Sequence, residues 1–272
     1  MRELERDLLP TPTTDAPIAV IGRGRVGGSL AAAMETAGIP VRLASAAEAE
    51  IAAAGATAAL ICVPDEAIEP VCGTLAAADP VPALVGHVSG ATTLAALSPA
   101  RDRGAATFSL HPLQTFAGER TPLGGIPAAT AGSDSAAEAF AAALAERLGM
   151  RPFAVPDQRR AAYHAAASIA SNFLIALEES AAGLLAEAGV DDARELLAPL
   201  VLRTSANWSE SGSSALTGPI ARGDEVTVER HREALGELAP ELLPLYEALA
   251  ERTAAIAGDG AGSDARHEGV GA

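Results

Sequence analysis

The stretch RAAYHAAASIASNFLIALE (160–178) is an alanine-rich apolar run with a few polar intruders. At about 100° per residue, His164, Ser168, Ser171 and Asn172 fall on one helical arc roughly 100° wide. Buried polar groups cost free energy unless paired, so such a stripe fits the lining of a cleft. The other reading is four separately hydrogen-bonded groups at a helix–helix or subunit contact. His87 in GHVSG and His111 in SLHPLQTF each follow a run of strand character. Imidazoles, with an ordinary pKa of about 6.5, exchange protons near neutrality. The histidine spacing matches no metal-ligand pattern, and no metal is expected. Ser89 in HVSGA lacks the G-x-S-x-G frame of a serine nucleophile. In the loop ALTGPIARGD (215–224), Arg222 suits either a two-pronged grip on a carboxylate or an ion pair that fixes the loop. Asp224 is placed to cap the helix that follows.

Gly22, Gly24 and Gly27 form G-x-G-x-x-G between the apolar run PIAVI (17–21) and the helix-forming SLAAAMETAG. That spacing provides a tight turn, close backbone approach to a pyrophosphate, and close helix–strand packing. Helix N-terminal amides then hold phosphate without a lysine. An acidic residue at the end of the second strand would mark NAD, but Ala44 and Ser45 stand there. Glu48 reads as too far into the next helix. Arg23, Arg25 and Arg42 are available to a 2′-phosphate, which favours NADP while leaving NAD open. Arg42 also fits a solvated strand edge.

Composition narrows the chemistry further. The chain has 272 residues, a formal net charge of −16, 49% hydrophobic residues and 3% aromatics. All 19 basic residues are arginine, so a pyridoxal Schiff base, a lysine nucleophile and a Walker-type lysine are excluded. The acidic balance argues against nucleic acid as a partner. Cys62 and Cys72 cannot form a disulfide framework, and Cys62 reads as a small buried hydrophobe. The polar stretch 1–15 has no leader-like apolar segment, and no uninterrupted apolar run suggests a membrane span. The cytoplasm is the default expectation.

The elements that must position these residues alternate. Strands are expected at 17–21, 41–45, 59–63, 83–90, 105–111 and 151–155, with helices at 29–38, at 47–55, after Asp65, which is read as a cap, and at 135–149. Such alternation predicts an α/β fold, a doubly wound parallel sheet covered on both faces. From 157 onward the pattern is helical, over 157–188, 191–210, 224–237 and 240–257. The expected organisation is a dinucleotide-binding domain (16–155), an all-helical domain (156–258) and a disordered tail (259–272).

GRGRVGGSL, VPDEAI, HVSG, HPLQTF, YHAAASIASNFL and ALTGPIARGD occur in that order over about residues 17–257. On these motifs the chain resembles the bacterial family that joins a Rossmann-like domain to domain of unknown function 2520. That resemblance implies an NADP-dependent oxidoreductase with a fold like those of 6-phosphogluconate dehydrogenase, pyrroline-5-carboxylate reductase and ketopantoate reductase. It also implies a helical domain that dimerises. Gly22, Gly24 and Gly27 match the phosphate turn; Val63, Pro64 and Asp65 match the loop near the cofactor. His87, Ser89, His111, Gln114, Tyr163, His164, Ser171, Asn172, Thr217, Arg222 and Asp224 match the family's polar positions. Relatives with Lys-x-x-x-Asn on the first helix of the second domain place lysine where this chain has Ser168.

The reading that results is hydride transfer between NADP(H) and a small carbonyl or imine, with a 2-oxo acid of the ketopantoate type as one class. His164 is the expected proton donor, and His111 the alternative. Asn172 and Ser171 are expected to orient the substrate, with Gln114, Ser168 and Arg222 contacting it. Arg23, Arg25, Val26, Ser45, His87 and Ser89 join the turn and the 63–65 loop around the cofactor. The alternative is a non-catalytic dinucleotide sensor or scaffold.

Overall fold

A computed structural model describes residues 16–267, and side chains through residue 258. The leader expectation for 1–15 and the last five residues of the expected tail lie outside the described residues. The chain divides into two compact units, with the boundary between Ile169 and Ala170.

The first unit runs β1 (Ile18–Ile21), α1 (Arg25–Thr36), β2 (Val41–Ala44), α2 (Ala49–Ala53), β3 (Ala58–Ile61), α3 (Ile68–Leu75), β4 (Leu84–His87) and α4 (Ser98–Arg101). It continues through β5 (Ala106–Pro112), β6 (Pro127–Gly132), α5 (Ser135–Arg147), β7 (Arg151–Ala154) and α6 (Arg160–Ala170). The strands form one sheet in the order β2-β1-β3-β4-β5-β6-β7. Strands β1 to β5 are parallel, β6 runs antiparallel to β5, and β7 is parallel to β6. The sequence reading missed β6 and its direction. No helix connects β5 to β6, so the chain returns beside β5 in the opposite sense. PAATAG also offers a single β-branched residue, Thr130, among alanines that carry little strand signal.

The order β2-β1-β3 creates a switch point, where connections leave β1 toward one side and β3 begins on the other. Parallel sheets bind ligands outside the carboxyl ends of the strands at such a point. Alternation along each strand feeds two cores. Ile18, Val20, Ala58 and Leu60 pack on one face with Leu30, Met34, Phe108 and Leu144. Ala19, Ile21, Ala59 and Ile61 pack on the other with Ile68, Leu75 and Leu97. Each fully buried Leu or Ile is worth about 1.5–3 kcal/mol. Asp134 accepts from the Ala137 N–H at 2.8 Å and starts α5. Asp65 does not cap as expected: it is the first residue of a 3-10 turn, Asp65–Ala67, preceded by Pro64.

The helix expected over 157–188 is interrupted. Ser171, at φ −126° and ψ −77°, ends α6, and its carbonyl accepts from the Ile175 N–H as α7 (Asn172–Glu187) begins. The second unit adds α8 (Ala193–Ser211), α9 (Glu225–Leu238) and α10 (Leu243–His267), the last running past the expected boundary at 258. Asp224 caps α9, accepting from Thr227 N–H and O–H at 3.1 and 2.7 Å. Large apolar side chains are more than half exposed here, among them Phe173, Ile175, Leu200, Leu202 and Trp208. By length and composition alone, 157–187 also matches a membrane span, contrary to the sequence reading. The break at Ser171 divides it, and its Arg160 is fully buried against β5.

Candidate active site

The glycine turn sits at the switch point, where β1 meets α1. Gly22 has φ +126°, and a Cβ there would stand 2.2 Å from the Cys62 carbonyl oxygen at the end of β3. A Cβ on Gly27 would fall 1.9 Å from the Gly22 carbonyl oxygen. Gly24 is different: a Cβ there would meet nothing within 4 Å. The first and third glycines therefore serve turn and packing, while the second leaves an open approach to the backbone. Gly24 is the N-cap of α1, without a side-chain capping bond, so the first-turn amides remain free for an anion. These residues fit a dinucleotide pyrophosphate. Val26 and Val63 pack against the two cores beside this turn.

The arginines are distributed otherwise than expected. Arg42 donates to the carbonyls of Ala54 and Ala52 at 2.6 and 3.3 Å, and Arg25 to that of Phe116 at 3.1 Å. Only Arg23 reaches the end of β2, where Nη2 lies 2.9 Å from Glu48 Oε2. Glu48 is not out of reach, as its place in the sequence suggested. Its Oε2 also accepts from Ser45 N–H at 2.8 Å and Ser45 O–H at 2.7 Å. Those bonds, and then Arg23, hold its carboxyl below the usual range.

A second group forms at the carboxyl ends of β4 and β5. His87 is fully buried, with Nδ1 accepting from Ser89 N–H at 3.2 Å. Ser89 Oγ accepts from the Ala91 and Thr92 N–H groups, shaping the loop after β4. His111 Nδ1 and the Tyr163 hydroxyl share a hydrogen bond of 2.7 Å. His164 meets the His111 ring edge-on, centroids 6.1 Å apart. Gly90 lies against both: a Cβ there would be 2.6 Å from His164 Nδ1 and 2.9 Å from His111 Nε2. His164 Nδ1 is buried and has no hydrogen-bond partner among the described residues.

Arg160 holds this group together. It is fully buried, donating from Nη1 to Ser109 Oγ at 2.7 Å and from Nη2 to the Ser89 carbonyl. Asp157, just before α6, accepts from Leu94 N–H at 3.0 Å. Burial, and then the Arg160 charge, push His87 down to about 3 and His111 down to about 4. Burial pushes the Tyr163 phenol up to about 12. Near neutrality His87 and His111 are therefore uncharged and Tyr163 is protonated, beside one buried cation. Among the described residues no three potential ligands gather into a metal group.

Sequence reasoning passed over Arg160. The signal was there, since Arg160 stands three and four residues before Tyr163 and His164, on one helical face. Ser168 lies on α6, partly exposed. Gln114 donates to the Pro122 carbonyl at 3.0 Å and so ties its own loop. Ser171, Asn172 and Arg222 belong to the second unit, where Arg222 is exposed.

This topology defines the class: a Rossmann-like domain followed by a helical domain. Residues 126–253 match the family described as "Domain of unknown function (DUF2520)", and the resemblance drawn from the motifs holds. No curated protein sequence matches the chain. Among solved structures, a Thermotoga maritima protein is 22% identical with a TM-score of 0.72, covering 89% of this chain and 98% of its own. An Aspergillus terreus reductive aminase, in complex with NADPH and ethyl-5-oxohexanoate, is 20% identical with a TM-score of 0.65, covering 90% and 98%. A Plasmodium falciparum pyrroline carboxylate reductase with NADP bound is 14% identical with a TM-score of 0.57, covering 89% and 98%. These likenesses establish the fold.

Proposed function

We propose that the chain is an NADP(H)-dependent reductase of a small carbonyl or imine. The observation that carries this reading is one sheet edge bearing two sites. The open Gly24 turn lies at the end of β1, and the His111–Tyr163–His164 group at the ends of β4, β5 and the start of α6. The bound nicotinamide would supply or accept hydride. The Aspergillus and Plasmodium neighbours, a reductive aminase and a pyrroline carboxylate reductase, support an imine or carbonyl substrate.

The protein's part is to bind, orient and protonate. With no lysine in the chain, the proton must come from another acid. In the tautomer in which Tyr163, kept protonated by burial, donates its O–H to His111 Nδ1, the imidazole proton sits on Nε2. His111 Nε2 and His164 Nδ1 both pack against the Gly90 backbone, and one of these two imidazoles would pass the proton to the substrate heteroatom. A 2-oxo acid of the ketopantoate type remains within the proposed substrate class.

The experiment is NADPH oxidation against a panel of 2-oxo acids and cyclic imines, with His164→Ala, His111→Ala and Tyr163→Phe beside the wild type. Turnover that falls roughly 10²- to 10⁴-fold in at least one of the three supports the reading. The missing lysine favours a second reading, a dinucleotide sensor. Tight NADPH binding without turnover on any panel member selects it. The exposed apolar side chains of the second unit support a further part of the proposal, a homodimer formed through the helical domain.

A further inference from the structure

Three donors converge on a single oxygen at the end of β2. Glu48 Oε2 accepts from Ser45 N–H at 2.8 Å, from Ser45 O–H at 2.7 Å and from Arg23 Nη2 at 2.9 Å. A backbone amide, a hydroxyl and a guanidinium pointing at one atom form an anion cradle, and charge-assisted bonds of this kind are the strong ones. Its position matters as much as its composition. Arg23 belongs to the glycine turn itself, and Ser45 follows β2, the strand paired with β1. In this fold, a pyrophosphate on the turn places the adenosine ribose at the end of that neighbouring strand.

A 2′-phosphate therefore needs the same three donors that Glu48 already holds. Two anions cannot share them without like-charge repulsion at contact distance. An unphosphorylated ribose makes no such demand, and its hydroxyls are donors that suit a carboxylate. Glu48 and Arg23 side chains are both about half exposed, so the carboxylate can swing into solvent. The other two arginines near the turn are committed to backbone carbonyls of Ala52, Ala54 and Phe116. Nothing else among the described residues offers that ribose edge a second guanidinium of the turn.

Resting on the dinucleotide reading above, we infer that Glu48 is a resident anion that sets the choice between phosphorylated and unphosphorylated dinucleotide. It fills the 2′-phosphate cradle and must be displaced when NADPH binds. Its carboxylate is a brake on NADPH, and Arg23 with Ser45 is the cradle that the brake occupies.

The test is equilibrium titration of the full chain with NADPH and with NADH, followed by the fluorescence of the reduced nicotinamide. Glu48→Gln retains an oxygen that can accept from Ser45 N–H but removes the competing charge. The expected result is a rise of roughly tenfold in the ratio of NADPH to NADH affinity. In an Arg23→Gln background the same substitution should shift the ratio by less than about threefold, because the cradle has lost its cation. Glu48→Ala should move the ratio in the same direction as Glu48→Gln, and circular dichroism checks that each variant is folded. A ratio unchanged in Glu48→Gln and Glu48→Ala, with both nucleotides still binding, overturns the role of Glu48 alone. Wild-type protein that binds neither nucleotide overturns the dinucleotide reading as well.

Discussion

The Arg160 guanidinium donates to Ser109 Oγ at 2.7 Å, in a fully buried position and with no carboxylate among the described residues in its hydrogen-bond shell. Asp157 and Asp65 offset its charge only in part, and the cation acts on the imidazoles around it. These are His87 and His111, which burial first, and then the Arg160 charge, keep neutral.

Stability should therefore fall on acidification. His87 and His111 have folded-state pKa values of about 3 and about 4, below the ordinary histidine value of 6.5. Between those limits the unfolded chain binds protons that the folded one refuses, so stability rises with pH. It should be fully present above about pH 6.5 and decline steadily toward pH 4. Urea midpoints measured at pH 7, 6 and 5 check this. His87→Gln should flatten the slope, since Gln does not titrate.

Replacing Arg160 with Met should keep most of the volume while removing both donors. The Ser89 carbonyl then loses a partner inside the protein, a loss of about 1–3 kcal/mol. The more telling readout is His111, whose titration by NMR should move upward once the adjacent positive charge is gone. A His111 titration that stays put in Arg160→Met would contradict the electrostatic role.

The glycine turn should separate folding from binding. Gly27→Ala puts a methyl 1.9 Å from the Gly22 carbonyl oxygen, and overpacking of that kind costs typically 1–3 kcal/mol. Gly24→Ala meets no protein atom within 4 Å, so its thermal midpoint should stay near wild type. Its dinucleotide affinity should nevertheless drop, because the methyl occupies the approach to the backbone. Paired melting curves and NADPH titrations distinguish the two.

Light scattering on the purified chain should give the mass of a dimer. Phe173, Ile175, Leu200, Leu202 and Trp208 are each exposed by 56% or more, an apolar surface that water does not favour. Leu200→Glu with Leu202→Glu should shift the mass toward the monomer. A monomeric wild type, or one that partitions onto lipid vesicles, would reject the dimer.

Much of the first unit was legible in the sequence because its signals are local. PIAVI followed by G-x-G-x-x-G names a strand, a turn and a helix within about a dozen residues, and β1 and α1 form where expected. What escaped depended on distance in space. Glu48 looked remote from the end of β2, but a 3-10 turn, Ala46–Glu48, folds it back onto Ser45. Arg42 looked available for phosphate and is instead bonded to the carbonyls that end α2. The polar stripe was read as one arc, which assumes one unbroken helix; the change of backbone angles at Ser171 removes that common phase. His164 and Ser168 stay on α6, while Asn172 starts a new helix. His111 was singled out, but its pairing with Tyr163 joins residues 52 positions apart and has no local signature.

The two clasps at the start of α6, Asp157 to Leu94 and Arg160 to Ser109 and Ser89, have a mechanical consequence. They rivet the segment bearing Tyr163 and His164 to the same slab that carries the glycine turn. On the proposed function, the proton source and the nucleotide turn would thus share one frame of reference.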